Sequence, residues 1–129
     1  MSHFSYIQTQ FQNLFYLEKA LNKLNIPYAQ EEVKVTVSNS GLSQINLVIP
    51  QSNGYDISFC WNGKEYDLVA DLSFWKQTLP HETFLNNISQ EYASEVVIGE
   101  GQKIGFEPTQ YKTNVDGSKT IVLERYITQ

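Results

Sequence analysis

The side chains best suited to chemistry in this sequence are three carboxylates, Asp56, Glu65 and Asp67, in the segment NGYDISFCWNGKEYDLVADLSFW (residues 53–75). Two carboxylates in a cleft that separates their pKa values can act as general acid and general base. Here they alternate with apolar residues, which predicts one water-facing side of a β-sheet, where acidic groups are ordinary. The functional interpretation that we retain is an acidic surface that binds a protein partner with basic groups.

Two further residues of this segment invite a functional reading. Trp75 lies in a predicted connector, where a large aromatic side chain is either a core plug or a binding anchor, so it is a fourth candidate partner-binding residue. Cys60 is the single cysteine and is predicted to lie opposite Glu65. A neighbouring carboxylate raises the pKa of a thiol, which argues against a reactive thiolate.

Metal and cofactor sites have no support in the spacing of the remaining residues. The two histidines, His3 and His81, do not form a ligand pair, and no Cys-x-x-Cys pair exists. Gly99-Glu100-Gly101 lacks the Lys-Ser/Thr of a phosphate loop and follows a predicted helix rather than preceding one. We therefore predict no catalytic residues, no metal and no cofactor.

Composition narrows the class of partner. The 129 residues fit one domain, residues 1–129, and the formal net charge of −5 disfavours nucleic acid. Nucleic-acid binding would need the scattered basic residues to converge, namely Lys19, Lys23, Lys34, Lys112 and Arg125. No signal peptide or membrane-length apolar run occurs, so we expect a soluble protein without membrane insertion.

The first half of the chain predicts one helix and two strands. Residues 8–24 carry apolar side chains at helical spacing, with Thr9 as a possible N-cap and Pro27 beyond the end. Residues 32–37 alternate as a strand with Val33, Val35 and Val37 on one face, and residues 44–49 form the next strand.

The middle of the chain predicts a β-hairpin around Asn62-Gly63, since these residues tolerate the positive φ angles of a two-residue turn. Strands 55–61 and 64–70 would then pair with Phe59 opposite Tyr66. One face would carry the apolar set Ile57, Phe59, Trp61, Tyr66 and Leu68, and we predict that Trp61 belongs to the core.

The second half predicts a helix and a second hairpin. Asp71 or Ser73 caps a short turn, a helix spans residues 81–97 and ends at Gly99 and Gly101, and strands 103–112 and 118–127 meet at Asp116-Gly117. The fold class is therefore α+β, a single two-layer domain in the order α-ββββ-α-ββ. A mainly antiparallel sheet of about six strands would carry both helices on one face.

The segments MSHFSYI, NGYDISFCWNGKEYDLVADLSFW and FLNNISQEYA resemble the plastid and cyanobacterial family "hypothetical chloroplast reading frame thirty-five". The resemblance implies an algal plastid, where the protein would lie in the stroma, or a cyanobacterial cytoplasm. It implies no activity, because the family is uncharacterised. Our expected function is a non-catalytic accessory or assembly factor that binds a protein partner. The alternative is a small-ligand binder or enzyme with a pocket between sheet and helices, with Tyr66 or Tyr92 as its polar group.

Overall fold

The computed structural model describes residues 3–34 and 43–125. Within these ranges the chain forms strands and helices in the following order: β1 (Ser5–Ile7), α1 (Leu14–Lys23), β2 (Ala29–Lys34), β3 (Ser43–Ile49), β4 (Ile57–Trp61), β5 (Tyr66–Ala70), a 3-10 turn (Leu72–Phe74), α2 (His81–Lys103), β6 (Phe106–Thr113) and β7 (Lys119–Arg125).

The main sheet has five antiparallel strands in the order β1-β5-β4-β3-β2. Both helices pack on the same face of this sheet, where Leu17 and Leu21 of α1 and Ile88 of α2 join Phe59 and Leu68 in one fully buried cluster. The predicted α+β class, with two helices on one face of a mainly antiparallel sheet, is confirmed.

Two features of the strand arrangement differ from the prediction. The last two strands, β6 and β7, form a separate two-stranded sheet that packs against α2, so the main sheet does not extend to six strands. The short strand β1 precedes α1 and pairs with β5. A strand of three residues is too short to show alternation in a sequence, which is why it was not predicted.

The central hairpin forms with a different register. Phe59 pairs with Leu68, and Trp61 pairs with Tyr66, so the predicted pairing of Phe59 with Tyr66 is wrong by two residues. The cause is a four-residue loop, in which the Asn62 side chain accepts hydrogen bonds from the backbone N–H of Lys64 (2.8 Å) and of Glu65 (2.9 Å). A two-residue shift keeps every side chain on its predicted face, and the half-buried Trp61 does pack against the core.

The first helix begins later than predicted. Asn13 is the N-cap, and its side chain accepts a hydrogen bond from the backbone N–H of Tyr16. Thr9 is instead buried in the preceding segment, where its hydroxyl donates to the carbonyl of Tyr66 and accepts from the backbone N–H of Phe11. Strand β2 begins at Ala29 rather than at residue 32. The predicted positions of Val35 and Val37 lie outside the described residues.

The second helix runs through the two glycines that were predicted to end it. A Cβ atom at Gly99 would overlap the ring of Tyr16, and one at Gly101 would lie 2.9 Å from Leu123 Cδ1. Both glycines therefore permit close packing, of α1 on α2 and of the C-terminal hairpin on α2. Gly105, with a φ of +91°, follows the helix end and takes the left-handed conformation that terminates it.

Candidate functional site

The second face of the main sheet lies opposite the helices. Gln30 of β2 hydrogen-bonds to Glu18 of α1, so Gln30 faces the helices and its neighbours Ala29 and Glu31 face away. Among the described residues no helix packs on this outward face, since α1 and α2 lie opposite and the β6–β7 hairpin lies on α2. We call this outward side of β1 to β5 the open face.

A line of directly paired positions crosses all five strands of the open face. We call it the apolar row, and its members, from β1 to β2, are Tyr6, Val69, Ser58, Val48 and Ala29. The tyrosine at one end is 71% exposed, and the two valines are half-buried. No element within residues 3–34 and 43–125 covers this row, and contiguous apolar surface can mark an interaction site.

A second line of outward positions lies beside the apolar row. Asp67 pairs with Cys60, and Glu31 pairs with Asn46, so we call these four residues the carboxylate row. Its two acidic members lie on β5 and β2, three strand spacings apart, or about 14 Å. The outward positions of the described strands β1 to β5 include no Lys or Arg. The open face is therefore negative and partly apolar.

The pKa of the Cys60 thiol reflects the charges of the carboxylate row. Burial raises the pKa of Cys60, and the carboxylates of Glu31 and Asp67 raise it further. Both charges therefore act on one point in the middle of the open face, although the residues are far apart in sequence. The thiol is accordingly not set up as a nucleophile.

The structure brings only part of the predicted acidic set together. Asp67 lies in the carboxylate row, and Glu65 precedes it at the loop end of β5. Asp56 lies at the other end of the hairpin, before β4, where its Oδ1 accepts a hydrogen bond from the backbone N–H of Gln51 (3.0 Å). Glu31 was missed because Ala29-Gln30-Glu31-Glu32 shows no alternation, which is usual for an exposed edge strand.

Trp75 lies beside the helices rather than on the open face. Its ring packs edge-on against Phe84 at a centroid distance of 5.1 Å and against His81 at 6.0 Å. Its indole N–H donates to the carbonyl of Leu79 at 2.7 Å. Trp75 is thus half-buried and packs against one end of the core.

A polar cleft of about 210 Å³ between α2 and the C-terminal hairpin was not predicted. Two largely buried carboxylates of α2 approach it, Glu91 bound to Lys119 at 2.9 Å and Glu95 bound to Lys23 at 3.5 Å. Their ion pairs neutralise them: the Glu91–Lys119 pair joins the hairpin to α2, and the Glu95–Lys23 pair joins α2 to α1. Its sequence signal is a helix whose buried side carries Glu91, Ser94 and Glu95 among apolar residues.

The two tyrosines of the alternative hypothesis have structural partners. The hydroxyl of Tyr92 accepts hydrogen bonds from the backbone N–H groups of Gln12 (3.1 Å) and Asn13 (3.0 Å), at the start of α1. The ring of Tyr66 packs edge-on against Trp61, and burial followed by the charge of Glu18 raises its pKa. Neither arrangement forms an acid–base pair in a cavity.

No helix within residues 3–34 and 43–125 is long and apolar enough to cross a membrane. In the same ranges no three side chains of His, Cys, Asp or Glu are grouped as metal ligands would be.

The fold and the open face define an α+β protein with two helices on one side of its sheet and a negative, partly apolar face on the other. The chain belongs to the family described as "Protein of unknown function (DUF1257)", whose model matches residues 20–122. No solved structure gives a significant match.

Curated relatives extend this membership over nearly the whole chain. The "Uncharacterized protein ycf35" of Trieres chinensis is 59% identical over 93% of this chain and 94% of its own length. The proteins of the same name from Guillardia theta and Cyanophora paradoxa are 40% and 35% identical, each over 98% of both chains. The predicted resemblance is thus confirmed, and these relatives are plastid-encoded proteins of algae.

Proposed function

We propose that this protein is a non-catalytic accessory or assembly factor of the algal plastid stroma that binds a protein partner through its open face. The observation that carries the proposal is the apolar row, which crosses all five strands, is covered by no element among residues 3–34 and 43–125, and lies beside two carboxylates. Tyr6 is 71% exposed at one end of this row, and burying its ring together with the half-buried Val48 and Val69 against a partner would remove apolar surface from water.

The composition of the open face suits recognition rather than chemistry. An exposed tyrosine such as Tyr6, at the β1 end of the apolar row, is a common binding anchor, because its ring buries a large area with few rotatable bonds. Carboxylates at the margin contribute to the rate and specificity of association, since they attract a basic surface at long range. The candidates Asp67 and Glu65 fall at this margin, and Trp75 offers a separate contact near the helices.

The first test removes charge while keeping shape. We expect the triple variant Asp56→Asn, Glu65→Gln, Asp67→Asn, and more strongly the double variant Glu31→Gln, Asp67→Asn, to recover less partner from stromal extract. The loss should be largest at low salt, where screening is weakest. Quantitative mass spectrometry of tagged-protein pull-downs at two salt concentrations measures it.

A matched control is available on the C-terminal hairpin. Glu107 and Glu124 are exposed and directly paired on β6 and β7, away from the open face. The variant Glu107→Gln, Glu124→Gln removes the same net charge and should leave recovery unchanged. Equal losses in both double variants would show that net charge alone is responsible, and the docking role of the open face would be wrong.

A further inference from the structure

We propose that the occupant of the open face is a basic amphipathic helix of another protein, which lies over the apolar row and places Lys or Arg side chains on Asp67 and Glu31. This inference rests on the proposed function and names the kind of partner. It follows from charge, from backbone hydrogen bonding and from the spacing of the carboxylates.

The charge of the open face selects a cationic partner. Asp67 and Glu31 face outward, and no Lys or Arg shares the outward positions of the described strands. A second copy of this chain would bring the same carboxylates against themselves, and the whole chain has a formal net charge of −5. Like charges therefore oppose a symmetric dimer through this face.

Backbone hydrogen bonding selects a helix. The apolar row lies across the middle of the sheet, where the backbone of β3, β4 and β5 is already paired on both sides. An extended peptide laid on this face would find no backbone partners, and burying its N–H and C=O groups there is costly. A helix satisfies these groups internally and presents only side chains.

The spacing of the carboxylates defines the pattern on that helix. Asp67 and Glu31 are about 14 Å apart across three strand spacings. At a rise of 1.5 Å per residue, two basic residues about nine positions apart would reach both. The apolar row itself spans about 19 Å, so an apolar stripe of roughly 13 residues would cover it.

Cys60 is a natural chemical probe of whether the open face is covered. It is the single cysteine of the chain and lies between Glu31 and Asp67, half-exposed on the open face. A helix that covers the apolar and carboxylate rows must shield this thiol. Alkylation by iodoacetamide at pH 8.5, followed by mass spectrometry, therefore detects binding at this face and nowhere else.

The experiment compares three synthetic 18-residue peptides. The first is a helical Leu/Lys peptide with an apolar stripe and flanking lysines, the second has the same composition with the stripe scrambled, and the third replaces each Lys with Glu. We expect the first to bind at micromolar concentration by fluorescence anisotropy and to slow Cys60 alkylation at least fivefold. The other two should bind at least tenfold more weakly and leave Cys60 unprotected.

Variants of the protein test whether the peptide binds at the apolar row and the carboxylate row. Val48→Ser, Val69→Ser should weaken the Leu/Lys peptide at least tenfold, and Glu31→Gln, Asp67→Asn should weaken it about tenfold at low salt. The matched controls, Val122→Ser and Glu107→Gln, Glu124→Gln, lie on the C-terminal hairpin and should have no effect. Circular dichroism verifies that each variant is folded, so a loss of binding is not a loss of structure.

Four results would overturn the proposal. Equal binding of the scrambled peptide would show that only charge matters, and binding without protection of Cys60 would place the peptide elsewhere. Protection of Cys60 that rises with the concentration of the protein alone, with a larger mass by sedimentation, would make the occupant a second copy. If the peptides fail while the stromal partner still depends on Glu31 and Asp67, the open face binds a partner that is not a helix.

Discussion

Gly99 shows how strongly one residue can depend on a close approach between helices. In an exposed helix, Gly→Ala stabilises by about 1 kcal/mol. Here the added Cβ would overlap the ring of Tyr16, which is buried and also packs against Tyr92. We expect Gly99→Ala to lower the free energy of unfolding by about 1–3 kcal/mol, the usual cost of overpacking, as measured by urea denaturation.

Gly101 is the matched control for this prediction. It lies in the same helix, and its added Cβ would lie 2.9 Å from Leu123 Cδ1, the end of a flexible side chain on β7, and 3.6 Å from Phe106 Cβ, an ordinary contact distance. Because that methyl group can move aside, Gly101→Ala should be neutral or stabilise by up to about 1 kcal/mol. Similar losses in both variants would contradict the role assigned to the Tyr16 ring.

The raised pKa of Cys60 predicts that the folded protein loses stability in alkali. Burial and two carboxylates raise the pKa of its thiol, so the folded protein holds this proton more tightly than the unfolded chain does. The contribution of this proton to the free energy of unfolding is complete below the ordinary thiol pKa of about 8.5. It is lost as the pH rises through the pKa of the thiol in the folded protein. The buried Tyr66, whose pKa is also raised, extends the loss to higher pH.

The measurement is the urea midpoint at pH 7.5 and at pH 9.5, for the natural protein and for Cys60→Ser. The natural protein should lose more stability between the two pH values, because the serine variant has no thiol to ionise. Glu31→Gln, Asp67→Asn should show a smaller drop than the natural protein. An identical drop in all three proteins would mean that other groups cause the alkaline loss.

Among the elements, the β4–β5 hairpin depends on one side chain in its loop. Asn62 accepts two backbone hydrogen bonds through its Oδ1 and donates one to Asp67 at 3.0 Å. We expect Asn62→Ala to cost about 1–2 kcal/mol in urea denaturation, since two backbone N–H groups lose their partner. Lys64→Ala, in the same exposed loop, should cost less than about 0.5 kcal/mol.

The same hairpin shows what the sequence can and cannot predict. Alternation determines the face of each residue, and a shift of two residues leaves that face unchanged, so the core side was predicted correctly. Asn-Gly permits loops of more than one length, so it did not determine the register. Glu31 was missed because an exposed edge strand carries little pattern, although it completes the carboxylate row.

Helix α2 was mispredicted for a related reason. It packs against the main sheet through Phe84 and Ile88 and against the C-terminal hairpin through Glu91 and Ser94. Helix α2 therefore has no single apolar stripe along its length. The side that carries Glu91 and Ser94 is buried, although it has the polar composition of an exposed surface. A glycine that follows a helical pattern usually indicates the end of a helix, so Gly99 and Gly101 led to a wrong boundary for α2. Their role in packing depends on the approach of Tyr16 and Leu123, which the sequence alone does not show.

At the scale of the whole molecule, stability is unevenly distributed. None of residues 104–125 is buried, whereas β3, β4 and β5 each contribute fully buried side chains. We expect the amide protons of β6 and β7 to exchange faster than those of the main sheet, because the hairpin can open without disrupting the core. Hydrogen–deuterium exchange followed by mass spectrometry measures both regions at once.

Glu91 tests what holds the hairpin in place. Glu91→Gln removes the charge that binds Lys119 across the polar cleft, so exchange of β6 and β7 should become faster while that of β4 and β5 stays the same. The surface variant Glu82→Gln, at the exposed start of the same helix, should change neither. Faster exchange throughout the molecule would show instead that the hairpin and the core unfold as one unit.

The position of β1 has a consequence for how the chain folds as it is synthesised. This strand is synthesised before its partner β5, which follows only after α1 and three further strands, with Ser5 opposite Ala70. A nascent chain folds from its N-terminus onward. Tyr6 and Ile7 therefore stay unpaired until β5 has been synthesised, and in that interval β1 is open to a chaperone that holds nascent chains. The β6–β7 hairpin, made after α2, docks on a helix already in place.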